Sequence, residues 1–472
     1  MLRLKVSYKG EMINGSFPCG TVLSDALGQL GITQNNPCGG NGRCKKCGVL
    51  VNGQKVLACQ FKLQEDTVAQ IINNAIDIVG LTYALLPEIE ADPLVAEGYG
   101  MAVDIGTTTI AGYIFEFPQC RCIKVSAAAN RQAKYGADVI SRIGYADKGG
   151  LAELGDILSA QIKELSAGYD ISKYVITGNT TMLHFLTGKD PAGIAAAPFV
   201  PESLFGQWYG NMYLPKCISA YIGADITTAI LASGMMKDKT ALLIDIGTNG
   251  EMVLRHNGRL MCCSTAAGPA FEGALISQGV SAVPGAIDHV YIVNGSIGYT
   301  TINGAAPNGI CGTGIIDAVA CLLSLGILDK DGYLEHDFEI GESGVFLTHN
   351  DIRQIQLAKS AVLSGIETLL EGCGIDYSGI DRFYISGGFG SYINKANAAY
   401  IGLIPAELVN KALVIGNGAG AGAEMILINK GCIENVENIC SHAETIELSA
   451  NEYFTKRYIE NMIFKNTVYD EE

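Results

Sequence analysis

The stretch Leu242-Leu-Ile-Asp-Ile-Gly-Thr-Asn-Gly-Glu251 contains the pattern that decides the fold of this chain. An apolar run over residues 241–244 predicts a buried strand, and Asp245 stands at its end. The small and hydroxylated residues after it predict a sharp turn whose backbone N–H groups can face a phosphate. A carboxylate in this position can hold Mg²⁺ through water. The turn residues expected to bind are Gly247, Thr248 and Asn249.

The same pattern occurs earlier, as Met101-Ala-Val-Asp-Ile-Gly-Thr-Thr-Thr109. One Asp-Ile-Gly-Thr run alone is more simply explained as an ordinary turn. Two copies, each between strands, predict two similar lobes that close on one nucleotide from opposite sides. Asp104 then corresponds to Asp245, and the binding residues of the first turn are Gly106, Thr107 and Thr108.

Composition bounds the class of protein. A chain of 472 residues is long enough for about three domains. Its 58 glycines fall largely in short motifs between apolar runs, which is typical of an enzyme with tight turns. The net charge of −16 argues against nucleic acid as a partner and against an anionic membrane surface.

The sequence predicts a cytoplasmic protein. No apolar run reaches transmembrane length, and the N-terminus lacks the pattern of a secretory signal. In that compartment most of the 15 cysteines should be thiols or metal ligands rather than disulfides.

Residues 1–84 are predicted to form a small separate domain, with a strand at 2–8, a hairpin partner at 11–17 and a helix at 21–30. Four cysteines follow with the spacing Cys38-x5-Cys44-x2-Cys47-x11-Cys59. Three thiolates on a glycine-rich loop and a fourth farther on suit a [2Fe–2S] cluster. A four-thiolate zinc site is the alternative, but zinc sites usually come as two separated Cys-x2–4-Cys pairs.

Residues 85–98 form a predicted linker, either flexible or rigid, and residues 99–472 a predicted α/β domain. We expect lobe I at about 99–235 plus a C-terminal helical region, and lobe II at about 240–422. Crossing helices are predicted at 223–232 and 423–429. Two further helices are predicted, one within 125–142 and one at 357–372.

Two further glycine motifs are candidate nucleotide contacts. Gly268 lies in a Gly-Pro turn before a predicted helix, where Glu272 could orient nucleotide or magnesium, or merely cap the helix. Gly387 and Gly388 follow an apolar strand, and backbone without side chains there can lie flat against a nucleoside.

The order of these motifs resembles the superfamily of actin, sugar kinases and heat-shock chaperones, and residues 1–84 resemble a β-grasp ferredoxin. The combination resembles reductive activators of corrinoid-dependent enzymes. Runs close to that family's wording are Ala267-Gly-Pro-Ala-Phe-Glu-Gly273, Gly309-Ile-Cys-Gly-Thr-Gly314, Leu357-Ala-Lys359 and Ser386-Gly-Gly-Phe-Gly390. Longer members carry a linker and a middle domain after the ferredoxin, so we expect the middle domain to be missing here.

The resemblance implies ATP-dependent, one-electron reduction of Co(II) to Co(I) on a corrinoid protein or methyltransferase, with an upstream electron donor and a homodimeric enzyme. It implies that Asp104 and Asp245 position Mg²⁺ and the attacking water. The threonines and Asn249 would bind phosphates, Gly387 and Gly388 the nucleoside, and the four spaced cysteines the cluster.

Two other functions stay open. A small-molecule kinase with a redox-sensing ferredoxin domain would need an acceptor pocket, for which the sequence shows no clear cluster. An ATP-driven electron donor could instead serve another low-potential iron–sulfur enzyme. Dehydratase activators of this fold take their cluster cysteines from the ATPase itself, so the separate ferredoxin cysteines favour the corrinoid function.

Overall fold

The computed structural model describes residues 1–8, 11–30, 32, 47–71, 89–387 and 392–465. The N-terminal part is a five-stranded sheet with one helix. Its elements are β1 (Leu2–Tyr8), β2 (Glu11–Phe17), α1 (Leu23–Gln29), β3 (Gly48–Val51), β4 (Gln54–Leu57) and β5 (Thr67–Ile71). The strand order β2-β1-β5-β3-β4, with β1 and β5 parallel, is the β-grasp arrangement. The predicted hairpin and helix are confirmed.

Alternation along β1 explains how this sheet acquires a core. Leu4 and Val6 are fully buried, whereas the intervening Lys5 is exposed. Successive strand side chains point to opposite faces, so the apolar face packs on Leu23 and Leu27 of α1.

Lobe I is built on a six-stranded sheet. Its elements are β6 (Gly98–Ile105), β7 (Thr109–Phe117), β8 (Arg121–Ala129), α2 (Val139–Tyr145), α3 (Leu151–Leu165), β9 (Ile171–Gly178), α4 (Thr180–Thr187), α5 (Ala192–Ala195), β10 (Gln207–Tyr209), β11 (Met212–Leu214) and α6 (Ala224–Ser233). The strand order is β10-β11-β9-β6-β7-β8.

The next part of the described chain comprises lobe II and the C-terminal helices. Its elements are β12 (Thr240–Ile246), β13 (Gly250–His256), β14 (Arg259–Thr265), β15 (Ala286–Val293), β16 (Ser296–Thr301), β17 (Gly309–Ile310), α7 (Gly312–Ser324), β18 (Phe338–Glu339), β19 (Phe346–Leu347), α8 (His349–Cys373), β20 (Arg382–Ser386), α9 (Lys395–Tyr400), β21 (Ala412–Gly416), α10 (Gly418–Ile428), α11 (Cys432–His442), β22 (Ala443–Thr445) and α12 (Glu452–Glu460). The main sheet has the order β21-β20-β12-β13-β14-β22.

The two main sheets repeat one topology. In lobe I the order β8-β7-β6-β9-β11 joins an antiparallel meander to two parallel strands, and β14-β13-β12-β20-β21 repeats it in lobe II. This is the paired ribonuclease H-like arrangement of actin-like ATPases. The two lobes predicted from the repeated Asp-Ile-Gly-Thr pattern are therefore confirmed.

Helices α6 and α10 pack on each other between the lobes, and α10 also contacts β6 and β9. Small residues permit this approach, because a Cβ at Gly422 would lie 2.1 Å from the Thr228 carbonyl oxygen. Helix α10 begins at Gly418 rather than at the predicted residue 423. The reason is Asn417, whose side chain accepts a hydrogen bond from Gly420 N (2.9 Å) and caps the helix.

Two other predicted helices have different bounds. Residues 125–129 belong to β8, where pairing with β7 satisfies their backbone, and α2 begins only after Asp138 caps it by accepting from Ser141 N (2.7 Å). Helix α8 begins eight residues before the predicted start, because Thr348 and Asp351 form a capping box.

The described part of the predicted linker is attached to helix α10. Asp92 N and Leu94 N donate to the carbonyl oxygens of Ile428 and Leu427, each at 3.0 Å. Asn429 Nδ2 donates to Glu90 O (2.7 Å). Residues 89–95 therefore run along the end of α10 before β6 begins. Within the described ranges, no helix combines the length and apolar content needed to cross a bilayer.

Candidate functional site

A cavity of about 620 Å³ lies between the two lobes. Most of the predicted site residues line it, although they come from distant parts of the chain. They are Asp104, Gly106, Thr107, Thr108, Asp245, Gly247, Thr248, Asn249, Glu272 and Gly387. Gly268 is not among the lining residues; its φ of +76° forms the turn that leads to Pro269, which does line the cavity.

Each of the two turns is closed by a backbone hydrogen bond from its glycine N–H, to the residue three positions on in the first turn and two positions on in the second. Gly106 N donates to Thr109 O (2.9 Å), and Gly247 N donates to Asn249 O (3.0 Å). A Cβ at position 106 would lie 2.7 Å from Thr109 O, so the tight first turn requires glycine.

Glu272 connects the two turns. Thr248 Oγ1 donates to Glu272 Oε2 (2.6 Å), and Thr108 Oγ1 donates to Glu272 Oε1 (3.2 Å). Thr108 belongs to lobe I, whereas Thr248 and Glu272 belong to lobe II. One carboxylate therefore bridges the lobes at the phosphate turns.

Asp104 and Asp245 occupy equivalent places at the ends of the central strands β6 and β12. Burial raises the pKa of Asp104 to about 7; a hydrogen bond from Asn417 lowers it and repulsion by Asp245 adds to the increase. Burial also raises the pKa of Asp245, opposed by a hydrogen bond from Ser386 Oγ to Oδ2 (2.7 Å). Such a pair favours a bound cation, which would stabilise both charged forms.

Two more acidic residues of the cavity, both with raised pKa values, were missed by the sequence analysis. Burial, followed by repulsion from Asp104 and Asp245, raises the pKa of Asp225 in the first turn of α6 to about 8. The pKa of Glu251, directly after the second turn, is raised well above its usual value by burial and by Asp225 and Asp245. Two features of the sequence could have pointed to them. Asp225 is the one acid in the predicted helix at 223–232, and Glu251 ends the stretch 242–251 that contains the second turn.

The backbone of Gly387 lies close to the carboxylate of Asp245. Its φ is +97°, and a Cβ there would lie 2.9 Å from Asp245 Oδ1. Glycine is required by both the backbone conformation and the space. Gly388 lies outside the described residues, so its proposed nucleoside contact stays a prediction.

Three polar residues that the sequence analysis did not assign to the site hold its turns. Asn417 Nδ2 donates to Asp104 Oδ2 (2.9 Å), and Asn179 Nδ2 donates to Thr107 Oγ1 (3.2 Å). The fully buried Arg142 donates from Nη2 to Thr107 O (2.7 Å). The first turn is thus fixed through its backbone, its hydroxyl and its strand-end carboxylate.

Two predicted cluster ligands are neighbours in the N-terminal sheet. Cys47 directly precedes β3 and Cys59 follows β4, and Ala58 N donates to Cys47 O (2.8 Å). Both cysteines are buried. This placement fits joint ligation of one cluster, whereas Cys38 and Cys44 lie outside the described residues. Among the residues that the structure describes, no three His, Cys, Asp or Glu side chains form a metal-binding group.

Comparison with known proteins agrees with this architecture. The family described as "C-terminal domain of RACo the ASKHA domain" matches residues 239–471, and "RACo middle region" matches residues 99–238. The "Corrinoid activation enzyme RamQ" of Eubacterium limosum is 30% identical, over 95% of this chain and 97% of that protein. The chain belongs to the RACo family of corrinoid activators.

Other RACo-like proteins extend the comparison. A "[Co(II) methylated amine-specific corrinoid protein] reductase" from Methanosarcina barkeri is 25% identical over 76% of each chain. The solved structure of a "Reductive activator for corrinoid,iron-sulfur protein" is 27% identical, covers 98% of each chain and superposes with a TM-score of 0.73.

The RACo match corrects one expectation. We expected the middle domain to be missing, but the RACo middle region matches residues 99–238, which form lobe I. The error arose because lobe I was treated as part of a single ATPase domain. The alignment with the E. limosum relative spans 579 positions, so that relative has segments that this chain of 472 residues lacks.

Proposed function

We propose that this chain uses ATP to reduce Co(II) to Co(I) in a corrinoid protein or corrinoid methyltransferase, one electron at a time. The observation that carries the proposal is the pair of Asp-Ile-Gly-Thr turns, which face one cavity from two lobes. Membership of the RACo family and the names of the relatives support the corrinoid acceptor.

In this proposal the cavity binds ATP with Mg²⁺. The turn amides and the side chains of Thr107, Thr108, Thr248 and Asn249 contact the phosphates. Gly387 and Gly388 lie against the nucleoside, and the turn at Gly268 brings Glu272 to the phosphate end. A divalent cation fits this site because several buried carboxylates with raised pKa values surround the cavity.

Phosphoryl chemistry in such a site requires positioning more than a strong base. Asp104 and Asp245 would hold Mg²⁺ through water and orient the attacking water. The water oxygen forms a bond to the terminal phosphorus while the bond to the leaving ADP oxygen breaks, so ATP and water give ADP and phosphate. Asn417 and Ser386 hold the two carboxylates in place for this step.

Cys38, Cys44, Cys47 and Cys59 are the proposed ligands of a [2Fe–2S] cluster. When bound, the cluster supplies a one-electron carrier with a potential near roughly −400 mV. An upstream reductant supplies the electron, and Co(II) of the partner accepts it. Of these four, Cys47 and Cys59 are buried, next to strands β3 and β4.

Nucleotide must act through conformation, because reduction of cobalt at a lower potential is unfavourable. Each 59 mV against a one-electron transfer costs about a factor of ten in equilibrium. ATP can shift that balance only by favouring one arrangement of the complex over another. We propose that closure of the lobes on nucleotide favours a complex in which the axial ligation of cobalt changes.

The proposal also covers the cellular location, the oligomeric state and the binding partners of the protein. We expect a cytoplasmic homodimer that binds neither nucleic acid nor membrane, in agreement with the net charge of −16. Size-exclusion chromatography with light scattering would measure the oligomeric state.

The test mixes the reduced, iron-loaded protein with a Co(II) corrinoid protein without oxygen, and follows Co(I) by visible spectroscopy and Co(II) by EPR. Co(I) should accumulate with Mg²⁺-ATP and not with ADP. Equal Co(I) formation without nucleotide would contradict the coupling. Substrate-stimulated ADP release with a sugar or an organic acid would instead indicate a kinase.

A further inference from the structure

The hydrogen-bond partners of Glu272 are groups that are expected to bind the terminal phosphate of ATP. Its two carboxylate oxygens accept hydrogen bonds from the hydroxyls of Thr248 (2.6 Å) and Thr108 (3.2 Å), one from each lobe. These are the hydroxyls that the proposed function assigns to phosphate. A carboxyl group is therefore already present where the terminal phosphate of a nucleotide is expected to bind.

The buried guanidinium of Arg142, next to the first turn, also indicates that an anion binds here. The guanidinium of Arg142 is fully buried and donates to Thr107 O, Gly136 O and Gln132 Oε1, all uncharged acceptors. Within the part of the chain that the structure describes, no carboxylate lies within ion-pair distance of it. Burial lowers the pKa of Arg142 to about 10, and the charges of Asp138 and Glu272 oppose that shift. A buried charge without an ion pair is unfavourable, so this region attracts an anion.

We propose that Glu272 is an internal competitor for the terminal phosphate of the nucleotide. The inference rests on the proposed function and specifies how its site works. Without nucleotide, the Glu272 carboxylate holds Thr108 and Thr248 across the cleft. The terminal phosphate of ATP takes over both hydroxyls, and Glu272 moves away from them.

This exchange distinguishes ATP from ADP. ADP lacks the third phosphate (the γ-phosphate) of ATP, so Glu272 keeps both hydroxyls while ADP is bound. ATP must displace Glu272, which lowers the affinity for ATP and leaves the affinity for ADP unchanged. After hydrolysis, the return of Glu272 to the two hydroxyls favours release of phosphate.

The ordinary alternative predicts the opposite effect of a substitution. If Glu272 held Mg²⁺ or the bound nucleotide, its removal would weaken ATP binding. If Glu272 is a competitor, Glu272→Gln strengthens binding of a terminal-phosphate analogue. Hydrogen bonds to a charged group are stronger than those to a neutral group, so we expect a gain of about tenfold in affinity.

A second variant tests whether the gain in affinity is specific to Glu272 or follows from replacing any acid of the cavity. Glu251 also lines the cavity and is buried, and its charge lies beside Asn249 rather than between the two threonines. Glu251→Gln replaces a second buried acid of the same cavity by its amide. It should change the affinities for both nucleotides by the same factor.

The experiment is titration calorimetry of the full-length protein and both variants with Mg²⁺-AMP-PNP and with Mg²⁺-ADP. We expect Glu272→Gln to bind AMP-PNP about tenfold more tightly and ADP within about twofold of the wild type. Weaker AMP-PNP binding by Glu272→Gln, or the same selective gain in Glu251→Gln, overturns the inference and leaves the proposed function intact. If the wild type binds neither nucleotide, both proposals fail.

Discussion

Asn417, the residue that caps helix α10, donates a hydrogen bond from Nδ2 to Asp104 Oδ2 at 2.9 Å. Asp104 ends the central strand of lobe I, whereas Asn417 follows the last parallel strand of the lobe II sheet. The bond therefore attaches the beginning of a crossing helix to the strand-end carboxylate of the opposite lobe.

Asn417→Ala should lower both stability and ATP hydrolysis. It removes an N-cap, which contributes about 1 kcal/mol, and a hydrogen bond to a carboxylate, which contributes about 1.5–3 kcal/mol. Asn451→Ala is the matched control, because Asn451 caps α12 by the same kind of bond. Urea unfolding should show a larger loss for Asn417→Ala, and only this variant should lose ATPase activity. Equal ATPase rates in the two variants would contradict the role of the Asp104 contact.

Gly387→Ala should strongly lower the rate of nucleotide hydrolysis, because its Cβ would lie 2.9 Å from Asp245 Oδ1. The control is Gly374→Ala, at a φ of +65° after α8 with no atom within 4 Å of the added Cβ. Both substitutions cost about 1–2 kcal/mol in left-handed backbone strain. Steady-state ATPase assays should show a loss of at least about tenfold in Gly387→Ala only. A similar rate in both variants would mean that the crowding at Asp245 has no catalytic effect.

The nucleotide-free protein should lose stability as pH rises. The folded pKa of Asp104 is about 7 against a usual 3.8, so its protonated form stabilises the folded state fully below pH 3.8. This contribution falls by about 1.4 kcal/mol per pH unit and is lost as pH passes through about 7.

Urea unfolding between pH 5 and about 8 measures this effect as the difference between wild type and Asp104→Asn, which cancels groups common to both proteins. The variant should show a smaller loss of stability with pH. Mg²⁺ with ADP should restore the wild type at high pH, since a cation stabilises the charged carboxylate. Identical pH dependence in the two proteins would contradict the assignment.

Cys47→Ser and Cys59→Ser should each lose the visible colour and the EPR signal of the reconstituted cluster but still bind nucleotide. Cys47 and Cys59 lie next to strands β3 and β4 of the N-terminal sheet, whereas the cavity is lined from Asp104 onward. Cys19→Ser is the control, because Cys19 is exposed and lies outside the four-cysteine spacing. Loss of the cluster in the control, or an unchanged cluster in both ligand variants, would contradict the ligand set.

Local patterns were sufficient for much of the fold. The alternation in β1 and the two Asp-Ile-Gly-Thr turns depend on residues close in sequence, so the hairpins and the two lobes could be predicted. The start of α10 was placed too late, because the glycines at positions 418, 420 and 422 lower the helix propensity of this run. Close packing against α6, where Gly422 meets Thr228, makes this run helical.

The site residues in local sequence motifs could also be predicted, whereas those brought in by tertiary packing could not. Asp104 and Asp245 stand in a repeated motif, whereas Asp225 is a single acid on a helix and has no spacing signature. The Thr108–Glu272 bond joins residues 164 positions apart, so only the tertiary fold brings them together. Arg142 was missed because a single arginine near a helix start usually faces solvent, and only packing of α2 buries it.

Electron transfer in a single turnover tests the central claim most directly. Protein carrying one electron, freed of excess reductant, is mixed in a stopped-flow instrument with a Co(II) corrinoid protein, with Mg²⁺-ATP, with Mg²⁺-ADP or without nucleotide, and Co(I) absorbance is recorded. The account predicts Co(I) with ATP for the wild type and none for Asp245→Asn, although this variant keeps its cluster colour. Co(I) formation at the same rate and yield in all three nucleotide conditions would contradict the claim that the two-lobed cavity controls the electron.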